Sequence, residues 1–292
     1  MKAQIKNLKV IVTGCGFKPI GHIYKYDNKP THNIISINGV DFKMNIGTAV
    51  AYYLAKKDIE VIMVSRTEEN LKMIKNGLIN LGCKEEKISY IATDINSEEG
   101  VNNFIKKLPR NSNFYWVQSI GMGGGAYKVP NDNIYLPFEK IKPELIAAEM
   151  DIVTATHRLM LKMVKIFRKQ IKNKQTAKVC IITSMSGERG YHYGATHVAA
   201  KHALVGYIKG IEKELEDEGI KIFDVRPGGI DTGMYDNKHV QRSVSEISKK
   251  TKMWSGLEPI YAKPVDVAKK VYLSLFDKEA KKVYRILAPH QK

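Results

Sequence analysis

Thr13-Gly14-Cys15-Gly16 and Asn45-Ile46-Gly47-Thr48-Ala49 are the first residues of this chain whose types could do chemistry together. Glycine allows a tight turn and lets backbone come close to a pyrophosphate. A helix starting beyond it offers unpaired N–H groups and the positive end of its dipole. Joined, the two pieces make a glycine-rich turn between a strand and a helix, split by residues 17–44. Arg66 follows directly on a strand ending at Ser65. At that position of a dinucleotide-binding fold an acid holds a ribose 2′-hydroxyl, whereas an arginine accommodates a 2′-phosphate. Arg66 therefore favours NADP(H), with NAD(H) as the alternative cofactor. Cys15, Cys83 and Cys180 have no metal-ligand spacing and are too few for a disulfide framework, so no metal site is expected. Cys15 has no base beside it in sequence and reads as a small buried side chain of the phosphate loop.

These groups need elements that carry both glycine clusters and Arg66 to one edge of a scaffold. Apolar runs at Lys9–Thr13, Glu60–Ser65, Ile88–Ala92, Phe114–Gln118, Lys178–Ser184 and Ile220–Val225 predict strands, with a short last one at Lys282–Leu287. Between them, Gly47–Lys57, Glu68–Leu81, Ser97–Lys107, Pro143–Lys172, Ala195–Glu218 and Val265–Phe276 carry helical patterns. This alternation predicts an α/β, doubly wound parallel sheet of Rossmann type, about seven strands with helices on both faces. One domain over residues 1–292 accounts for the chain. The segment 17–44 breaks the alternation. Asn38-Gly39 lies between Ile35, Ile37 and Val40, Phe42, and this pattern predicts a β-hairpin with a type I′ turn. Asp27–Pro30 predicts a second turn. The insertion is either a surface decoration or a flap near the cofactor, since both its ends lie in the phosphate loop.

The 292 residues are 43% hydrophobic and 26% charged, which excludes a disordered chain. No apolar run is long enough to span a bilayer, and Met1 to Val12 lacks a signal-peptide pattern, so no membrane role and a cytoplasmic location are expected. The net charge of +17 is lysine-heavy and spread along the chain, more a solvated surface than a nucleic-acid face. The same field attracts an anionic cofactor or substrate.

With these residues in place, the chain resembles the short-chain dehydrogenase/reductase family over nearly its whole length. Thr13-Gly14 with Asn45-Ile46-Gly47 is similar to that family's TGxxxGIG loop, with Asn45 standing at its middle glycine. Thr93-Asp94-Ile95 resembles the adenine-contacting aspartate motif. Gln118-Ser119-Ile120-Gly121 sits where the family has Asn-Asn-Ala-Gly. Pro227-Gly228-Gly229-Ile230-Asp231-Thr232 resembles the PGxxxT segment that closes over the nicotinamide, and Pro264-Val265-Asp266 the start of the last helix. The resemblance implies a cofactor site built from Gly14, Cys15, Gly16, Asn45, Ile46, Gly47, Arg66, Asp94, Ile95, Ser119, Gly121, Lys201, Pro227, Gly228, Ile230 and Thr232.

It also implies a catalytic set from which this chain departs. In the family a serine stands thirteen residues before the tyrosine of Tyr-x-x-x-Lys. Here Ser184 and Lys201 keep that spacing, but His197 replaces the tyrosine, with Tyr191 and Tyr193 just upstream. The family tyrosine gives the carbonyl oxygen its proton, its lysine lowers the phenol pKa and holds the nicotinamide ribose, and its serine bonds the carbonyl oxygen. Three readings stay open: His197 as the proton donor or acceptor, Tyr193 in that role, or no dehydrogenase chemistry. The Lys201 ammonium should lower the His197 pKa and leave it neutral. Ser119-Ile120-Gly121 also resembles the enoyl-acyl-carrier-protein reductase branch, which puts its tyrosine seven residues before the lysine, at Gly194 here. The family asparagine on the preceding helix corresponds by pattern to Asp151.

The resemblance implies an NADP(H)-dependent oxidoreductase acting on a carbonyl/alcohol pair. Residues 233–256 form the expected substrate lid, whose lysines, Met253 and Trp254 suit an anionic or carrier-linked substrate with an apolar part. Gly121–Gly125 predicts a mobile loop beside the nicotinamide. The competing classes are a silent NADP(H)-binding sensor or scaffold and an enoyl-thioester reductase. The helices Pro143–Lys172 and Ala195–Glu218 resemble the pair through which the family forms homodimers and homotetramers.

Overall fold

Each long apolar run becomes a strand of one sheet. The structure, a computed structural model, describes residues 7–121, 136–237, 240–241, 244–246, 249 and 261–288. The chain begins with β1 (Leu8–Thr13), whose last four residues are buried, and enters the insertion. There it forms β2 (Phe17–Pro19), β3 (Lys25–Tyr26), β4 (Lys29–Pro30), β5 (Ile34–Ile37) and β6 (Val40–Met44). The alternation then runs α1 (Ile46–Lys56), β7 (Glu60–Ser65), α2 (Glu68–Asn80), β8 (Ile88–Ala92), α3 (Glu98–Lys107), β9 (Asn113–Gln118) and α4 (Pro143–Lys172). It ends with β10 (Ala177–Ile182), α5 (Ala195–Asp217), β11 (Ile220–Pro227), α6 (Pro264–Phe276) and β12 (Val283–Ile286).

The seven long-range strands pair in parallel in the order β8-β7-β1-β9-β10-β11-β12. Order reverses between β1 and β9, so the crevice where a doubly wound sheet binds dinucleotides opens at their C-terminal ends. Helices α1, α2 and α6 pack on one face with Val10, Val12, Met63 and Val117. On the other, α3, α4 and α5 pack with Ile11, Ile62, Trp116 and Ile181. Alternate residues of β1 thus feed two cores, the reason its sequence is a continuous apolar run.

Two strand ends differ from expectation by two residues. Strand β10 stops at Ile182 because Ser184 opens a one-turn helix at Met185–Gly187, accepting the Ser186 N–H at 3.0 Å on its own Oγ. Strand β11 runs on to Pro227, paired with β12 through Ile286.

The insertion holds the expected hairpin and more. Asn38 and Gly39 both have positive φ (50° and 78°), as a type I′ turn demands, and join β5 to β6. β2 adds to β6, making a three-stranded antiparallel sheet. The second turn is tighter than Asp27–Pro30: Asp27 and Asn28 form it with φ of 49° and 59°, while Lys29 and Pro30 already pair with β3. Ile35 and Ile37 point inward, and Ile35 lies so close to α2 that a Cβ on Gly77 would sit 2.5 Å from it.

Candidate active site

The split glycine turn closes in space. Gly14 takes φ 86°, and a side chain there would meet the Ser119 carbonyl oxygen at 2.5 Å. A Cβ on Gly47 would meet the Gly14 oxygen at 2.6 Å. These two positions accept only glycine if β1, β9 and α1 are to approach this closely. Asn45 staples the halves: its Oδ1 accepts the N–H groups of Gly16 (3.1 Å) and Thr48 (2.9 Å), and its Nδ2 donates to the Gly14 carbonyl at 2.8 Å. Thr48 Oγ1 adds a bond to the Gly16 carbonyl at 2.7 Å. Asn45 is thereby the N-cap of α1, which leaves the first-turn N–H groups of Ile46 and Gly47 as donors for an anion. The geometry suits an anion at this helix start. Burial pushes the Cys15 thiol up to about 12, which makes it an inert packing group.

On the β7–β8 side, Arg66 is exposed directly beyond β7. Asp94 caps its own turn, accepting from Asn96 N at 3.1 Å and Asn96 Nδ2 at 2.8 Å, while Ile95 is buried beside it.

The remaining residues sit beyond β9, β10 and β11. Ser119 donates its N–H to the Thr13 carbonyl at 3.1 Å, locking the two strand ends at the crevice. Lys201, on the second turn of α5, is buried and reaches across to donate to the Gly121 carbonyl at 3.0 Å. The Ser184 turn presses on α5 at the same level: a Cβ on Gly187 would meet the Lys201 carbonyl oxygen at 2.9 Å. Ser184 Oγ lies 3.4 Å from the Pro227 carbonyl, so its hydroxyl bridges the ends of β10 and β11. His197 lies one helical turn before Lys201. Burial, then the Lys201 charge, pushes its imidazole down to about 3. Burial pushes Lys201 itself down to about 8, against the opposing pull of Glu149 and Asp224. Tyr193 takes a left-handed φ of 61°, rare for an aromatic residue, just before α5.

Sequence reasoning passed over two acids. The α4 carboxylate that acts on Lys201 is Glu149, two residues before Asp151, and burial raises its pKa. Asp224 of β11 is almost fully buried, accepting from Thr183 Oγ1 and from Arg226 Nε at 2.6 Å. Gln118, where a first asparagine was expected, is buried and donates to Thr156 Oγ1 at 2.7 Å. In the Pro227–Thr232 segment, Gly228 donates to the Ile286 carbonyl at 2.8 Å and Ile230 is buried. Asp231 faces the insertion, where Lys43 Nζ donates to it at 2.8 Å. Residues 122–125 and most of the expected lid after Asn237 lie outside the described residues.

Comparison with known proteins places the chain in a family. A 3-oxoacyl-[acyl-carrier-protein] reductase of Escherichia coli is 26% identical over 189 residues, covering 65% of this chain and 70% of its own. An oxidoreductase of Staphylococcus aureus (strain MW2) is 23% identical over 189 residues, covering 65% and 75%. The solved structure of an alcohol dehydrogenase from Thermococcus sibiricus, complexed with 5-hydroxy-NADP, superposes with a TM-score of 0.65 at 18% identity over 98% of both chains. The family model described as short chain dehydrogenase matches residues 43–243, which takes in the C-terminal half of the split turn, Arg66, Ser184, Lys201 and the Pro227–Thr232 segment. The chain belongs to the short chain dehydrogenase family of oxidoreductases.

Proposed function

We propose that this chain is an NADP(H)-dependent oxidoreductase that moves hydride between the nicotinamide and a carbonyl/alcohol substrate with an anionic or carrier-linked character. The observation that carries this reading is Lys201, buried at the crevice with its ammonium on the Gly121 carbonyl, beside the Ser184 turn. The first-turn N–H groups of Ile46 and Gly47 bind pyrophosphate, and Arg66 binds the 2′-phosphate. When bound, the cofactor supplies or accepts the hydride. Ser184 Oγ orients the substrate oxygen. Lys201, whose pKa lies nearest neutrality in the set, holds the proton that this oxygen needs. His197 stays neutral throughout the physiological range and shapes the pocket beside that oxygen as a hydrogen-bonding ring, not as an imidazolium acid. The similarity to an acyl-carrier-protein reductase and the net charge of +17 support a carrier-linked, acidic substrate partner. The long helices α4 and α5 support assembly as a homodimer or homotetramer.

A second reading, a silent NADP(H)-binding protein, is favoured by one observation: a histidine, His197, stands in the tyrosine's place, and burial and the Lys201 charge lower its pKa to about 3. Fluorescence titration separates the readings. Wild-type protein should bind NADPH more tightly than NADH, and Arg66→Ala should remove that preference, a loss of about 1.5–3 kcal/mol for hydrogen bonds to a charged group. Oxidation of bound NADPH by a 3-oxoacyl thioester establishes the oxidoreductase reading. Binding with no turnover of any thioester, ketone or aldehyde establishes the silent one.

A further inference from the structure

The insertion does not hang free of the crevice. Lys43, on β6, is fully buried, and its ammonium is met from three sides: Asp231 Oδ1 at 2.8 Å, Asp236 Oδ2 at 3.0 Å and the His22 carbonyl at 2.7 Å. Thr31 donates to the other Asp231 oxygen at 2.9 Å, and His32 Nδ1 stands 3.6 Å from it. Asp231 itself has no exposure. Burying charges this deeply is expensive unless they are paired, and here the Lys43 ammonium pairs with Asp231 across 188 residues of sequence and with Asp236 beside it.

The surfaces around the cluster are fitted as well. A Cβ on Gly21 of the insertion would meet Asp236 Cβ at 2.8 Å, and one on Gly233 would meet Lys18 Cβ at 3.0 Å. Tyr24 donates its hydroxyl to the Tyr235 carbonyl at 3.2 Å and sets its ring edge-on to Tyr261 at 4.6 Å. Asn33 Oδ1 accepts the Val265 N–H at 2.9 Å, capping α6 from outside. The insertion therefore leaves the glycine turn at Gly16, docks on the segment after β11, and returns to the glycine turn at Asn45.

These two anchor points lie on opposite sides of the crevice. The β1–α1 turn belongs to the half of the sheet that takes the adenine mononucleotide. The loops beyond β9, β10 and β11 belong to the half that takes the other mononucleotide. We propose that the insertion is a built-in strap across the cofactor crevice, in which Lys43 is a positioning residue: through Asp231 it fixes the Pro227–Thr232 segment over the nicotinamide half of the bound dinucleotide. The inference rests on the nicotinamide-dependent reading above. Lys43 touches neither cofactor nor substrate, and its effect reaches them only through Asp231 and the backbone that follows Pro227.

A fragment ligand tests this. NADPH spans both halves of the crevice, whereas 2′,5′-ADP occupies the adenine half alone. Binding of each is measured by calorimetry to wild type, Lys43→Met, Asp231→Asn and Thr31→Val. Lys43→Met and Asp231→Asn should lose NADPH affinity by about tenfold or more while binding 2′,5′-ADP within about threefold of wild type. Retained 2′,5′-ADP binding shows in the same experiment that the variant is folded. Thr31→Val keeps both charges and removes one hydrogen bond, so it should shift NADPH binding less but in the same direction, and it remains informative where the charge variants fail to fold. Equal weakening of both ligands, or no change in either, overturns the strap. Wild-type protein that bound neither ligand would overturn the nicotinamide reading and the strap together.

Discussion

Among the described residues two lysines lie almost wholly out of water, Lys43 at 0% and Lys201 at 4% exposure, and they are buried in different ways. Lys43 is neutralised by contact, with two carboxylates and a carbonyl within 3.0 Å. Lys201 donates to the Gly121 carbonyl, and the carboxylates that act on it, Glu149 and Asp224, do so as charges in its surroundings. An ammonium ringed by anions ties distant parts of the chain together. An ammonium desolvated with little contact neutralisation has a pKa pulled toward neutrality, which suits proton transfer and costs stability. The contrast separates a buried charge that builds the site from one that works in it.

The comparison breaks most visibly in Lys201→Met. Turnover should fall by about 10²–10⁴-fold, the scale of losing a proton-transfer group, while Tm stays level or rises because a poorly compensated ammonium has been removed. The pH dependence carries a sign. With Lys201 lowered from 10.5 to about 8, the unfolded chain holds its proton more tightly than the folded one. Below about 8 the burial cost is present in full. As pH rises from about 8 toward 10.5 the folded state is relieved and stability climbs, a slope absent in the variant. Carbonyl reduction runs the other way and declines as pH passes about 8, when the ammonium loses its proton. A pH–rate profile and a Tm series on both proteins check the two signs.

Lys43→Met should reverse the pattern in stability. It strands the buried Asp231 carboxylate, and removing one partner of such a pair costs about 3–5 kcal/mol. Adding Asp231→Asn to it should recover part of that loss in urea unfolding. No recovery would mean that Lys43 acts through Asp236 instead. The smallest effect belongs to Asn33→Ala, which removes the acceptor at the start of α6. It should cost about 1 kcal/mol, the usual worth of a helix cap, and leave turnover unchanged.

The elements were legible because each is written locally. Strands β7 and β8 and helix α4 begin and end where their periodicity does, and the Asn38-Gly39 turn announces itself by residue type. The placement of Gly14, Ser184 and Lys201 was legible because each lies on or directly beyond one of those elements. What the sequence hides is contact between distant segments. Nothing in the sequence near Lys43 names Asp231 as its partner. Glu149 was passed over for Asp151 because motif similarity was followed across a helix. Two residues along a helix is about 200° around its axis, so only one of the two can face Lys201. The desolvation of the half-buried His197 was also invisible, since an alanine-rich helix start does not tell which neighbours will lie beside it.

The Asn45 staple has a consequence for how the chain reaches this state. Gly16 and Asn45 are bonded to each other yet stand 29 residues apart. A direct turn of three residues would close the same contact almost for free. Closing the longer loop costs about 2 kcal/mol more in chain entropy, since the penalty grows with the logarithm of loop length. That cost falls before α1 has its cap, so β1 and α1 cannot zip together as a local strand–helix unit. The anion cradle thereby becomes a long-range contact, closed where β2 pairs with β6 and sets Phe17 opposite Met44, next to Gly16 and Asn45.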